Sequence, residues 1–258
     1  SEEFHLMLYN QRAEFVLQQL QLQSTVKVSD LSRQLHISVD TVRRDLKAME
    51  QQGLIRCVRG GACMPESQVS MSNFTGREII HGDLKREAAQ KALAYIHEGD
   101  VVALNSGTTN TVVAQELLSL GKKCTVVTNN FAAASVLLQA PHLELVLVGG
   151  QMDPQERSTY GSLCEQEFAK FHPDVALLSI NAVNYKDGYT DFRLDEIGVI
   201  QLLAANARQV LAVMDSSKLG KCSKRQVLSS EQVDYLVMDN HVLPEVREKY
   251  EKKGITIV

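Results

Sequence analysis

Tryptophan is missing from the 258 residues, and aromatic residues make up only 5% of the chain. Broad stacking platforms for unpaired bases are therefore not expected. Cysteine occurs five times, at Cys57, Cys63, Cys124, Cys164 and Cys222. The number is odd and no C-x-x-C occurs, so reduced thiols are expected rather than a disulfide framework or a zinc site. The histidines (His5, His36, His81, His97, His142, His172 and His241) show no ligand spacing, so no metal and no cofactor is expected. There is no membrane-length apolar run, no secretory leader pattern and no G-x-S-x-G nucleophile motif. The expectation is a soluble cytoplasmic protein without a membrane partner.

An excess of basic charge is also lacking. Lys and Arg number 27 against 31 Asp and Glu, a net charge of −4. A generally basic nucleic-acid surface is excluded, so any site for a polyanion must be local. The charge is unevenly placed. Residues 1–62 hold 8 basic against 7 acidic residues, and the remainder holds 19 against 24. Within residues 43–59 the cations Arg43, Arg44, Lys47, Arg56 and Arg59 are opposed only by Asp45 and Glu50.

The apolar pattern explains why they gather there. Ala13, Val16, Leu17 and Leu20 recur at i, i+3, i+4 and i+7, the stripe of an amphipathic helix. Ser29 can cap a second short helix that buries Leu31 and Leu35. His36-Ile37 makes a tight turn. Ser38 then caps a third helix with Val39, Val42, Leu46 and Met49 on its inner face, and Gly53 ends it. Residues 54–64 read as a two-stranded wing bending at Gly60-Gly61. "CMPESQVSMSN" (Cys63–Asn73) is polar and aperiodic and reads as a linker. A further helix is expected over about Asp83–His97. After Gly99, buried-looking strands recur at 101–105, 124–128, 143–149, 174–180, 209–215 and 234–239, mostly with helical stretches between them. That alternation indicates an α/β domain with a mostly parallel sheet. The expected fold is a winged helix-turn-helix at 1–62, a linker at 63–82 and a mostly parallel α/β domain at 83–258.

In a winged helix-turn-helix the second motif helix enters the major groove of double-stranded DNA. At about a hundred degrees per residue, Asp40, Arg44 and Lys47 point away from the Val42/Leu46 face, with Thr41 and Arg43 beside them. An Arg can fork onto guanine O6 and N7, and a Thr methyl can touch thymine. Asp40 is placed to accept from a cytosine amine or to orient Arg44. Arg56 and Arg59 on the wing would neutralise phosphates, fixing register rather than reading sequence. The DNA-facing set is then Ser38, Asp40, Thr41, Arg43, Arg44, Lys47, Arg56 and Arg59. The plainer alternative is a solvated charged face; the Ser38 cap and the basic hairpin that follows speak against it. One such domain offers a small interface, so a homo-oligomer, dimer or tetramer, on paired half-sites is expected.

"VSDLSRQLHISVDTVRRDLKAMEQQGLIRCVRGGA", followed in order by "LNSGTT", "VVTNN", "LVGG", "YGS" and "DSSK", resembles the DeoR family of bacterial transcriptional regulators over nearly the whole chain. The resemblance implies a repressor of carbohydrate catabolic genes. It also implies an effector domain similar to sugar-phosphate isomerases that binds a phosphorylated sugar and releases the operator. The chain departs from the family pattern at Asn105, where Asp is usual, and at Arg59, where His is usual. It departs again at "LLSINAVN", where glycines are usual and where Ser179, Asn181 and Ala182 would rim the pocket.

The residues of the second half support an anion site directly. "VVALNSGTTNTVVAQEL" is strand, short loop and helix, with Asn105, Ser106, Gly107, Thr108 and Thr109 at the helix start. The first N–H groups of a helix lack intrahelical partners and its dipole favours an anion there. The loop is neither a Walker loop nor G-x-G-x-x-G, so a nucleotide is not indicated. Ordinary capping by Ser and Thr is the plainer alternative. Against it, Thr128, Asn129 and Asn130, then Gly149, Gly150 and Gln151, then Asp215–Lys218 also follow strands, and such ends converge on one crevice in a parallel sheet. Lys218 can supply countercharge, Asn129, Gln151 and Asn181 can meet sugar hydroxyls, and Asp215 is expected to orient donors. Asp195 reads as a helix-start acid, whereas the resemblance assigns Glu196 to the pocket. Arg77 and Lys85 match family-like basic positions that could sense bound ligand, with solvated surface as the plainer expectation for both. An isomerase with an appended helical domain, using Asp191 and Glu196, is the competing reading.

Overall fold

Ala13, Val16, Leu17 and Leu20 are buried along one side of α1 (Tyr9–Leu22), as their spacing requires. The structure is a computed structural model and describes residues 8–22, 25–63 and 74–258. It divides into two compact units between Gly82 and Asp83.

In the first unit α1 is followed by β1 (Thr25–Lys27), α2 (Val28–Leu35), α3 (Val39–Gln51), β2 (Arg56–Val58), β3 (Gly61–Cys63) and α4 (Phe74–Ile79). Helix α2 ends on His36 in the left-handed conformation, with φ 53°. Gly53, at φ 70°, turns the chain out of α3. Leu31, Val42, Leu46, Met49, Leu54 and Ile55 close the core against α1.

Four local expectations are corrected. Ser29 lies inside the first turn of α2 and caps nothing, because β1 runs directly into the helix and Lys27 holds the N-cap position without a side-chain bond. Val39 is 38% exposed. Asp45, not Val39, completes the buried face of α3. The wing has a third strand: β1 pairs with β3, which pairs with β2. Three residues are too few to show a strand period. Finally, α4 occupies part of the expected linker. Phe74 and Ile80 are buried, and the His81 N–H donates to Glu14 Oε1 on α1 at 2.5 Å. Residues 64–73 of that linker lie outside the described residues.

The second unit runs α5 (Gly82–Ala92), β4 (Val101–Leu104), α6 (Thr108–Leu117), β5 (Thr125–Thr128), α7 (Phe131–Leu137), β6 (Glu144–Leu147), β7 (Gln151–Asp153), β8 (Ser158–Tyr160), α8 (Ser162–Phe168), β9 (Val175–Leu178), β10 (Ala182–Asn184), β11 (Gly188–Asp191), α9 (Ile197–Asn206), β12 (Gln209–Val213), β13 (Arg225–Leu228), β14 (Tyr235–Val237) and α10 (Pro244–Glu251). Six strands form one parallel sheet in the order β14-β12-β9-β4-β5-β6. Alternate residues divide between its faces. Ala103, Val127, Ala176 and Leu178 enter one core, and Val102, Val126, Val175 and Leu177 enter the other. Both faces are covered, which is why these strands read as continuous apolar runs. The short strands β10, β11 and β13 form a separate antiparallel sheet, and β7 pairs with β8. The sequence pattern missed all five. From β4 the chain winds outward through β5 and β6, and from β9 it winds the other way through β12 and β14. The reversal lies between β4 and β9, where ligands of such sheets bind outside the carboxyl ends of the strands. No helix among the described residues is long and apolar enough to cross a membrane.

A Cβ at Gly61 would overlap the carbonyl oxygen of Val26 on the neighbouring strand. Gly61→Ala is therefore expected to lower the stability of the first unit by about 1–3 kcal/mol, as overpacking does. Chemical unfolding measures it, and an unchanged midpoint would show that β1 does not pair here.

Candidate functional site

Helix α3 is fixed at its start by Ser38, whose Oγ accepts the Thr41 N–H at 3.1 Å and lies 2.8 Å from the Thr41 hydroxyl. Its outer side carries Asp40, Arg43, Arg44 and Lys47, all exposed, as are Arg56 and Arg59 on the wing. Asp40 pairs with Arg43 at 3.5 Å, so it does not orient Arg44. Arg44 and Lys47 make no hydrogen bond or ion pair among the described residues. The two acids of this stretch are occupied elsewhere. Asp45 is 8% exposed and receives a two-pronged contact from Arg12 on α1, from Nε at 2.6 Å and Nη2 at 3.0 Å. That pairing holds the Arg12 guanidinium above its ordinary range. Glu50 accepts the Cys57 N–H at 2.7 Å, joining the end of α3 to the wing. The outer face is thus more basic than its composition suggests.

In the second unit the loops after β4 and β9 meet at the reversal of the sheet, and Arg193 joins them. Its Nη1 donates to the Ser106 carbonyl at 3.0 Å and the Ser106 Oγ at 2.8 Å. Its Nη2 donates to the Ser179 carbonyl at 2.8 Å and Asp191 Oδ2 at 2.7 Å, and its Nε to Asp191 Oδ1 at 3.0 Å. Every guanidinium N–H is used. Burial disfavours both charges, but the pairing prevails: Arg193 is held above its ordinary range and Asp191 below the usual carboxylate range. The sequence expectation covers the acids around Asp191 and not this arginine. The Asp-Phe-Arg spacing ahead of a helix was the available signal.

The helix beyond is open at its start. Gly107 is the N-cap of α6, with φ 121° and no side-chain cap bond. A Cβ there would press on Ser179 Oγ and Arg193 Nη1. The first N–H groups, at Thr108 and Thr109, lack intrahelical partners. Ordinary capping by Ser106 or the threonines does not occur. Glu196 stands beside this start. Its Oε1 accepts the Ser106 N–H at 2.9 Å, and its two oxygens lie 3.2 and 3.3 Å from Asn129 Nδ2. Burial outweighs Arg193 and these bonds, and the carboxyl is raised above its ordinary range.

Ser106, Gly107, Asn129 and Glu196 therefore come together. Several of the residues expected to meet ligand also have roles in the fold. Asn105 bridges to Ser179, its Nδ2 donating to the carbonyl at 3.0 Å and its Oδ1 accepting the N–H at 2.7 Å. Asn110 anchors that clasp, donating to Asn105 Oδ1 at 2.9 Å and the Leu177 carbonyl at 2.8 Å. Thr128 donates to the Leu104 carbonyl at 2.7 Å. Asn130 caps α7 through the Ala133 N–H and donates to the Gly107 carbonyl, each at 3.0 Å. Gly150 packs against Tyr160 and Cys164, Gly149 faces open space, and Gln151 is exposed beside Gly161. The Asn181 N–H donates to Asp191 Oδ2 at 3.0 Å. Lys218 is half-buried in a single turn after β12, which Asp215 caps through the Ser217 N–H at 3.1 Å. Lys85 is buried, correcting the expectation of surface, and Arg77 is half-buried on α4. Asp191 accepts from the Arg193 N–H, Nε and Nη2 and from the Asn181 N–H. Four donors fill its lone pairs, leaving no room to take a substrate proton.

Residues 12–68 match the family described as the DeoR-like helix-turn-helix domain, and residues 80–240 match the DeoR C terminal sensor domain. The HTH-type transcriptional repressor GlcR of Bacillus subtilis is 30% identical over 90% of this chain and 89% of its own. The glycerol-3-phosphate regulon repressor of Escherichia coli is 27% identical over 90% and 92%. Among solved structures, ribose 5-phosphate isomerase A from Neisseria gonorrhoeae covers 57% of this chain and 55% of its own, with 18% identity and a TM-score of 0.40.

Ionised Glu196 costs stability above its unfolded pKa of about 4.3 and nothing below it, because folding raises its pKa. Glu196→Gln removes that cost, and the new amide can donate to Asn129 Oδ1, which is buried without a partner. The variant is expected to melt above the parent at about pH 7, with the gap closing as the pH falls through about 4. Melts across this range check it; a gap that widens on acidification contradicts it.

Proposed function

Because the chain belongs to the DeoR family of transcriptional regulators, we propose that it represses carbohydrate catabolic genes and leaves its operator when a phosphorylated sugar occupies the second unit. The observation that carries this reading is the uncapped start of α6 at the reversal of the sheet. No side chain caps it, in the setting where helix starts take phosphate. The glycerol-3-phosphate regulon repressor among its relatives is named for a phosphorylated polyol, which fits an effector of this class. Thr108, Thr109 and Lys218 are the proposed phosphate contacts, and Asn129, Asn181, Gln151 and Glu196 the proposed partners of hydroxyls. Arg44 and Lys47 read or grip DNA from α3, with Thr41 and Arg43 alongside and Arg56 and Arg59 on phosphates.

Signalling requires only that the ligand prefer one state of the protein over another. A coupling of about 1–3 kcal/mol corresponds to a loosening of roughly five- to 150-fold.

A thermal-shift screen of pentoses and hexoses against their phosphates tests the effector class. Stabilisation by phosphates alone is expected, and a response to free sugars alone would overturn the assignment. Arg44→Ala is expected to weaken specific operator binding by about 1–3 kcal/mol and to relax one base preference; unchanged preference in a binding selection rules that role out. Lys218→Ala is expected to leave operator affinity intact and to shift the effector dose response to higher concentration. A dose response matching the parent's would remove Lys218 from the site.

A further inference from the structure

The two edges of the parallel sheet end differently. At β14 the C-terminal segment lies alongside. The Leu236 N–H donates to the Thr256 carbonyl at 2.8 Å, and the Val258 N–H to the Leu236 carbonyl at 2.9 Å. At β6 nothing does so among the described residues. The Glu144 and Val148 N–H groups donate inward, to the carbonyls of Cys124 and Thr128. The intervening Leu145 and Leu147 therefore turn their N–H and C=O groups outward, where no described backbone meets them. Open strand edges recruit further strands, and folds usually blunt them with charge, proline or a covering element. "LELVLVG" supplies no proline and no positive charge. Its one charge is the exposed Glu144, whose carboxylate accepts from the Thr125 hydroxyl on β5 at 3.2 Å, and exposed apolar side chains occur on the strand and on elements next to it in the chain. Leu147 is 44% exposed on β6, Leu138 79% and Phe131 50% at the two ends of α7, which packs on β6, and Met152 49% on β7.

We infer that β6 is the dimerisation strand and that its occupant is β6 of a second copy, running antiparallel about a two-fold axis through Val146. The register follows from the backbone. With Val146 opposite Val146, Leu145 of each copy faces Leu147 of the other, and both are residues whose N–H and C=O point outward. Such opposed residues exchange both bonds, so the two pairs make four hydrogen bonds. Shifting the register by one residue would set an outward-facing residue against an inward-facing one and lose them. The joined sheets become a continuous one of twelve strands. The state also supplies the paired DNA readers that a two-fold operator demands.

The full chain carrying Val146→Cys tests the register. Val146 and its mate form a non-hydrogen-bonded pair, whose close Cβ atoms suit a disulfide. Mild oxidation is expected to convert most of this variant to a covalent dimer on non-reducing gels. The parent, with its native cysteines, and Leu145→Cys, whose copies are offset by two residues, should stay largely uncrosslinked. Leu145→Pro removes one outward N–H that the fold itself does not use. It also trims the partly buried Leu145 side chain from the core, so it is expected to melt somewhat below the parent and, folded, to move in light scattering from twice 28.7 kDa to 28.7 kDa. A monomeric parent, a parent dimer in which Val146→Cys does not crosslink, or a folded Leu145→Pro that stays dimeric would each overturn the inference. Should Leu145→Pro fail to fold, the crosslink decides alone.

Discussion

The second unit depends on one buried cation. Arg193 ties the loop after β4, the loop after β9 and the end of β11 into one object, and it does so with no donor left over. A buried guanidinium is tolerable only when paired and fully hydrogen-bonded, and Asp191 with two carbonyls and a hydroxyl meets that demand. The consequence reaches Gly107. The loop must pass so close to Ser179 and Arg193 that only a residue without a Cβ fits, and this same residue leaves the start of α6 uncapped. The uncapped helix start is thus a by-product of packing around the arginine.

In the first unit the corresponding constraint is the sorting of charge by burial. Over 43–59 the sequence offers five cations and two carboxylates. Folding turns Asp45 inward onto Arg12 and uses Glu50 to hold the wing. The exposed face of α3 keeps the cations with Asp40 alone among the acids of its first turn. A protein of net charge −4 thereby presents a locally basic surface, which a polyanion senses at short range more than it senses the total.

Much of this was legible in the sequence. The strands of the parallel sheet carry apolar runs, fully buried where both faces are covered, as in β9 and most of β4 and β12, and the first unit shows its caps and turn in Ser38, His36 and Gly53. What escaped notice was short or long-range. Strands of three or four residues such as β1, β7 and β10 have no period to detect, and α4 is too brief to display a stripe. Asn105, Thr128 and Asn130 have structural roles that a local pattern does not show, for a related reason. Polar residues at strand ends invite assignment to a ligand, but here they satisfy buried backbone groups on neighbouring strands. Arg193 is the clearest omission, since its partners lie 87 and 14 residues away and no local pattern joins them.

Glu196 gives the crevice a further property. Its carboxyl holds the Ser106 N–H beside the open helix, and burial already disfavours its charge. A negative group arriving next to it would disfavour that charge further, so the proton on Glu196 and any anion at the start of α6 would be coupled, each favouring the other.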